Sequence, residues 1–281
     1  MDANNQIGFA LSHIANFSAA MVQMNIHRFR DETLAQPRYA DPKRLLRYGF
    51  KTYSQHDEDG IIQEIFRRIG VATNSFIEFG VETGVECNTA KLLIEGWRGL
   101  WIEANAQSCK GITSIFDTFL KDRRLVVRQS LVTAENINQL IGAGGLGGEV
   151  DLLSIDIDFN DYWVWKAIEV VTPRVVVIEY NAGLRPPLSV TVPYQPNRSA
   201  DGTNFFGASL AALVRLGEAK GYRIVGCNIS GSNAFFVRSD LCADHFVEPA
   251  TAEEHYEPPR HFFSLLFAGP NAPRPGPYVA V

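Results

Sequence analysis

The chain of 281 residues carries 26 Lys and Arg against 31 Asp and Glu, a formal charge of −5, with 46% hydrophobic and 20% charged residues. This balance excludes a disordered chain and fits one large α/β domain with an appendage. The acidic excess gives no electrostatic reason to expect a nucleic-acid partner, whose binders carry basic surfaces.

At the N-terminus, "MDANNQIGFALSHIANFSAAMVQ" lacks a basic leader and is interrupted by Asn, Ser and His, which argues against a secretory signal. No stretch reaches the roughly 20 apolar residues that span a bilayer. Ile7, Leu11, Ile14, Phe17 and Met21 recur at helical steps, so this segment reads as an amphipathic helix that packs on the domain or on a second subunit. Cys87, Cys109, Cys227 and Cys242 form no CxxC pair and read as reduced thiols of a cytoplasmic protein.

After the connector "AQPRYADPKR", short β-rich runs alternate with helical segments, the pattern of a parallel sheet covered by helices. The predicted strands are 75 to 80, 99 to 104, 124 to 129, 151 to 157, 174 to 180, 222 to 227 and 233 to 238. Helices are read from "EDGIIQEIFRRIG", "NTAKLLIEG", "QSCKGITSIFDTFLKD", "AENINQLIG", "DYWVWKAIEVV" and "GASLAALVRLGEAKG". Only "NISGS" separates the last two strands, too little for a helical crossover, so they form an antiparallel hairpin. "GAGGLGG", 142 to 148, reads as a flexible loop entering the fourth strand.

Ligands of open α/β sheets bind outside the carboxyl ends of the strands, so each end is read for chemistry. The first strand ends in Glu78, Gly80 and Gly84, an E-x-G-x-x-x-G run that serves either a tight turn or a cofactor loop. Glu103 ends the second strand, where a carboxylate suits the two hydroxyls of a ribose. Cys87 reads as packing in the first turn of the following helix. Asp156 with Asp158, and Glu179 with Asn181, are two apart in extended chain and share a face, giving an oxygen set suited to Mg²⁺ or Mn²⁺, less so Ca²⁺. The other reading is a hydrogen-bonded acidic cluster capping the next helix, with Asn160 or Asp161 as N-cap.

"YSQHDEDGIIQEIF", "FIEFGVETGVECNT", "GWRGLWIEAN", "LLSIDIDFNDYWVW", "VVVIEYNA" and "GASLAALVRLGEAKGYRIVGCNISGSNAFFVRSDL" together resemble an FkbM-like S-adenosylmethionine (SAM) dependent methyltransferase domain, over about residues 50 to 242. The resemblance implies a Rossmann-like class I methyltransferase sheet of seven strands, mostly parallel with a terminal antiparallel hairpin and helices on both faces. It also implies O-methyl transfer to a sugar or other small-molecule hydroxyl. Gln55, Glu78, Gly80, Gly84, Glu103, Asn105, Ser130 and Asp156 would then hold SAM. Tyr53, Ser54 and Gln55 match the family's segment ahead of the first helix, where Ser54 serves equally well as a helix cap. A metal held by Asp156, Asp158, Glu179 and Asn181 is similar to that of metal-dependent O-methyltransferases. The chain departs from those enzymes in placing Tyr180 between Glu179 and Asn181, and in having no lysine one turn after Asp156. Without a metal, Asp158 or His56 is the expected general base.

The domain division is then an N-terminal helical extension over 1–48, the methyltransferase domain over 49–242, and a Pro-rich tail over 243–281 packed on it. The long connection 181–206 lies over the site, where Arg185, Tyr194, Arg198 and Asn204 are candidates for acceptor contacts. Trp163 and Trp165 read as core packing, "HFFSLLF" as a segment docked on a neighbour, and the N-terminal helix is compatible with a homodimer. Two other readings stay open: a fold-only binding or scaffolding module, and a nucleotide-binding enzyme of the same fold.

Overall fold

The computed structural model describes residues 3–199, 201–260 and 271–281. Its strands are β1 Ser75–Phe79, β2 Arg98–Glu103, β3 Leu125–Gln129, β4 Gly148–Ile155, β5 Val171–Glu179, β6 Val190–Thr191, β7 Tyr222–Cys227, β8 Asn233–Arg238 and β9 Val279–Ala280. The α-helices are α1 Ala3–Leu34, α2 Glu58–Ile69, α3 Ala90–Ile94, α4 Ala106–Ile115, α5 Asp117–Lys121, α6 Ile137–Ala143, α7 Asp161–Ala167, α8 Leu210–Ala219, α9 Ser239–Cys242 and α10 Ala252–His255.

Seven strands form one sheet in the order β3-β2-β1-β4-β5-β8-β7, with β8 antiparallel to both neighbours and the other pairs parallel. This is the Rossmann-like class I methyltransferase sheet that the sequence resemblance implied. Winding reverses between β1 and β4, so the ligand crevice is expected there, at the carboxyl ends.

Strand alternation divides the core in two. On one face Ile77, Phe79, Leu100, Ile102, Leu153 and Ile178 meet the apolar sides of α6, α7 and α8. On the other, Phe76, Trp101, Leu152, Val175 and Phe235 meet α2, α3 and α4. Full burial of such side chains stabilises the fold by about 1.5–3 kcal/mol each. Trp165 belongs to the first cluster, against Phe236 at 5.0 Å, while Trp163 is part-buried and donates to the Val192 carbonyl at 2.8 Å.

Several boundaries differ from the sequence expectation for identifiable reasons. β5 begins at Val171 and includes Pro173, which pairs opposite Val150 near the strand's start, where a missing N–H is tolerated. β4 begins at Gly148, so the glycine loop is shorter than the run that predicted it. The helix expected over 107 to 122 is broken at Phe116, whose ring turns inward against Trp101 at 4.8 Å. β6 and β9, each two residues long, are too short to leave a periodicity; their pairing ties the chain's end to the connection after β5.

The N-terminal helix forms and is longer than expected, but its apolar face does not pack on the domain. Leu11 (61% exposed), Ile14 (62%) and Phe17 (68%) are open, as are Met21 and Met24. No helix among the described residues is long and apolar enough to cross a membrane. "HFFSLLF" lies outside the described residues.

Beyond the sheet, His255 is buried on α10 with its Nε2 unpartnered. Burial, then the charges of Arg44 and Arg38, push its pKa down to about 3, whereas the Val247 backbone acts the other way. A folded-state value below the unfolded 6.5 means stability that is complete above pH 6.5 and is lost as pH falls toward 3. Between pH 7 and 4.5, urea denaturation of the native protein should show about 2–3 kcal/mol more loss than His255→Leu, from roughly 1.36 kcal/mol per pKa unit. Equal losses in both proteins would reject this account.

Candidate active site

A cavity of about 560 Å³ opens at the carboxyl ends of β1, β2, β3 and β4. Gly80, Glu82 and Thr83 form one wall, Ile102, Glu103 and Asn105 the next, then Ser130 and Leu131, then Ile157, Asp158 and Asn160, with Arg198 and Ser199 reaching over from the connection after β5.

Glu103 is buried at the tip of β2, and both its oxygens are held by backbone: Oε2 accepts the Glu82 N–H at 2.8 Å and Oε1 the Asn105 N–H at 2.7 Å. One N–H on each oxygen leaves lone pairs that can take hydroxyl protons. The carboxylate therefore ties the β1–α3 loop to β2 while remaining a double acceptor in the cavity wall.

Gly80 is required by geometry. Its φ is +75° and a Cβ there would lie 1.7 Å from the Asp156 carbonyl oxygen, so only glycine lets this loop pass over β4. Glu82 (φ +48°) and Asp158 (φ +65°) also occupy the left-handed region, and both line the cavity. Such backbone costs about 1–3 kcal/mol per residue and tends to collect at working sites.

Of the expected cofactor residues, the structure gathers Gly80, Glu103, Asn105 and Ser130 around this cavity and leaves four outside it. Asn105 caps α4 as well, its Oδ1 accepting from the Gln107 and Ser108 N–H groups. Glu78 is instead enclosed by the residues just ahead of α3. Its Oε1 accepts from the Asn88 N–H and Ser154 Oγ, and its Oε2 from the Thr89 N–H and Thr89 Oγ1. Every Glu78 oxygen is thus committed, and burial raises its pKa despite these bonds. Depth along the strand explains the correction: Glu78 is level with Trp101 and Ser154, two residues short of the edge where Glu103 stands on the same face.

Gly84 is also corrected, since its α-carbon faces Trp101, where a Cβ would lie 2.5 Å from the ring. Cys87 is buried, as a packing residue would be, and burial holds its thiol pKa well above the usual value. Gln55 is exposed; its carbonyl accepts from Lys51 Nζ. His56 is part-buried, its N–H donates to Glu58 Oε2 at 2.8 Å, and it too lies outside the cavity lining.

The acidic residues regroup. Asp156, Asp161 and Glu179 each place a carboxylate oxygen within 4.8 Å of the others. Asp158 and Asn181 do not join them. Asp158 turns into the cavity, where desolvation and then the charge of Glu103 raise its pKa. The Asn181 amide is used structurally, Nδ2 donating to the Asn204 and Phe206 carbonyls and Oδ1 accepting the Gly183 N–H. Tyr180, inserted between Glu179 and Asn181, is fully buried with its hydroxyl on the Glu257 carbonyl.

Burial raises the pKa of all three clustered acids, and carboxylate repulsion adds to it. Among the described residues no Lys or Arg forms an ion pair with any of them. Asn160 occupies the N-cap position of α7 without a capping bond. Its side chain instead binds the connection after β5, donating to the Gln195 carbonyl at 2.7 Å and accepting the Gln195 N–H at 3.3 Å.

That connection supplies Arg198, whose guanidinium lies 4.8 Å over the Phe159 ring and pairs with Asp201 at 2.8 Å. Two of the other loop candidates are committed elsewhere: the Tyr194 hydroxyl to Glu135, and Asn204 Oδ1 to the Arg274 N–H. Sequence reasoning did not pick Glu82, Thr83, Ser199 or Asn160 for the cavity. Their backbone placement carries no residue-type signal.

No protein-family model and no curated protein matches this sequence. Among solved structures, the N-terminal domain of EvdMO1 in the presence of S-adenosylhomocysteine (SAH) and D-fucose is similar at 15% identity, over 76% of this chain and 94% of that one, with a TM-score of 0.41. An O-methyltransferase from Bacillus cereus in complex with SAH is 16% identical over 58% of this chain and 67% of that one, at a TM-score of 0.32. A SAM-dependent methyltransferase from Clostridium acetobutylicum is 11% identical over 63% and 88%, at 0.38.

Proposed function

We propose that this protein is a SAM-dependent O-methyltransferase acting on a hydroxyl of a sugar or other small acceptor, with a divalent cation assisting. The observation that carries the reading is Glu103, presented as a double acceptor in the wall of a cavity whose volume lies in the range of about 300–1,000 Å³ typical of cofactor sites.

Bound SAM would supply an electrophilic methyl on sulfonium. Glu103 accepts the ribose hydroxyls, Gly80 lets the loop backbone approach the ligand, and Ile102 with the half-exposed Leu131 flanks the base. Asp158 lines the same cavity and is the chain's best-placed acceptor for the hydroxyl proton. Arg198 and Ser199 close the cavity from above and restrict how the acceptor enters, which favours alignment of oxygen, methyl carbon and sulfur. A divalent cation would lower the pKa of the acceptor hydroxyl. A homodimer through the exposed apolar face of α1 is part of the same reading.

Calorimetric titration of the full chain with SAH and, separately, with ADP-ribose tests the assignment. Micromolar SAH affinity with at least 30-fold weaker ADP-ribose binding is the expected result. Preference for ADP-ribose, or failure of SAH to bind, would replace methyl transfer with nucleotide chemistry on the same sheet.

A further inference from the structure

We infer that Asp156, Asp161 and Glu179, joined by Asn233, form a divalent-cation site whose donor set differs from the one the sequence suggested; the site stands on the residues below, and only its role in activating an acceptor rests on the methyl-transfer reading.

The three acids come from separate elements: Asp156 just beyond β4, Asp161 opening α7, and Glu179 ending β5. Proximity of acids is not enough, because clustered carboxylates occur without ions. The stronger observation is what their buried oxygens lack. Asp161 is 0% exposed; its Oδ1 accepts the Ile157 N–H at 2.8 Å, while its Oδ2 has no partner. Glu179 Oε2 is likewise buried and unpartnered.

Asn233 supplies a third orphan. It is the direct cross-strand partner of Glu179, so the two side chains rise from the same face. Its Nδ2 donates to Glu58 Oε1 at 3.0 Å, which fixes the amide's orientation, and its Oδ1 is buried without a partner.

Buried polar atoms in folded proteins nearly always find a partner, so three orphaned oxygens on adjacent residues call for a common one. A proton can bridge two carboxylates, or let one carboxyl donate to the Asn233 carbonyl oxygen, but a single proton cannot serve all three oxygens, whereas one cation can. Three carboxylates and an amide oxygen, with no sulfur or imidazole, select a hard ion such as Mg²⁺ or Mn²⁺. Four protein oxygens in a six-coordinate shell leave two positions for water or for oxygens of the acceptor.

The test is cation binding by the SAM-free full chain, stripped of metal, followed by Mn²⁺ electron paramagnetic resonance and by Mg²⁺ calorimetry. One Mn²⁺ per chain is expected. Asp161→Asn keeps the Oδ1 bond to Ile157 and should weaken Mn²⁺ at least 30-fold. Glu179→Gln should do the same. Asp158→Asn, which lies in the neighbouring cavity, should leave Mn²⁺ affinity within threefold.

In the metal-free state, Asp161→Asn should melt no lower than the native protein, because one mutually repelling carboxylate is gone, and Mn²⁺ should no longer raise its melting temperature. Native protein that binds no Mn²⁺, or Asp161→Asn and Glu179→Gln that bind it as tightly as native, would overturn the site. Protein that binds Mn²⁺ at this site but never SAH upholds the site and removes only its part in methyl transfer.

Discussion

Replacing Glu103 with alanine should weaken SAH binding about 100-fold or more while the fold is retained, as read by calorimetry alongside circular dichroism. A carboxylate accepting hydrogen bonds contributes roughly 1.5–3 kcal/mol per bond, and two ribose hydroxyls are at stake. The Glu82 and Asn105 N–H groups lose their acceptor at the same time, so the β1–α3 loop also loses its tie to β2. An alanine variant that binds SAH within threefold of native would remove Glu103 from the cofactor site, and with it the observation on which the proposed function stands.

Glu78→Ala should act on stability instead. Four hydrogen bonds converge on this buried carboxylate, and alanine leaves the Asn88 and Thr89 N–H groups without an acceptor. At roughly 1–3 kcal/mol for each unsatisfied buried group, the loss is about 4 kcal/mol. For a chain of this size, about 2–4 °C per kcal/mol, that lowers the melting temperature by roughly 10 °C. SAH affinity of the protein that remains folded should stay within about fivefold. An undiminished melting temperature together with lost SAH binding would return Glu78 to the ligand.

These two glutamates show what the sequence could reveal. Both lie at or next to the end of a strand of the same sheet, and each has glycine or asparagine two residues on. The strand pattern locates the sheet, its hairpin and the crevice, because hydrophobic periodicity is a property of neighbours along the chain. How near the sheet edge a strand residue stands depends on where the strand stops, and two residues of depth separate a cavity wall from a buried cap. Glu103, the last residue of β2, lines the cavity, while Glu78, on the same face but level with Trp101, is buried against the helices behind it.

The acidic cluster was legible in composition and not in membership. Spacing by two selected Asp158 and Asn181 on the assumption of continued strand. β4, however, ends at Ile155, and Asp158 adopts a left-handed backbone that turns it toward Glu103 instead. Asp161 replaces it from the first turn of α7. Asn233 could not be found by local reasoning at all, since only the pairing of β5 with β8 brings it beside Glu179.

The reversed direction of β8 has a consequence of its own. Had β8 run with its neighbours, its first residue would sit at the amino edge of the sheet and Arg238 would face the crevice. Running backward, it delivers Asn233 and the turn before it to the working edge. There Asn228 and Asn233 both donate to Glu58, the first residue of α2. A hairpin is the least expensive way to change a sheet's polarity. In this molecule it lets a connection that elsewhere would face solvent become a wall between the acidic pocket and the first helix.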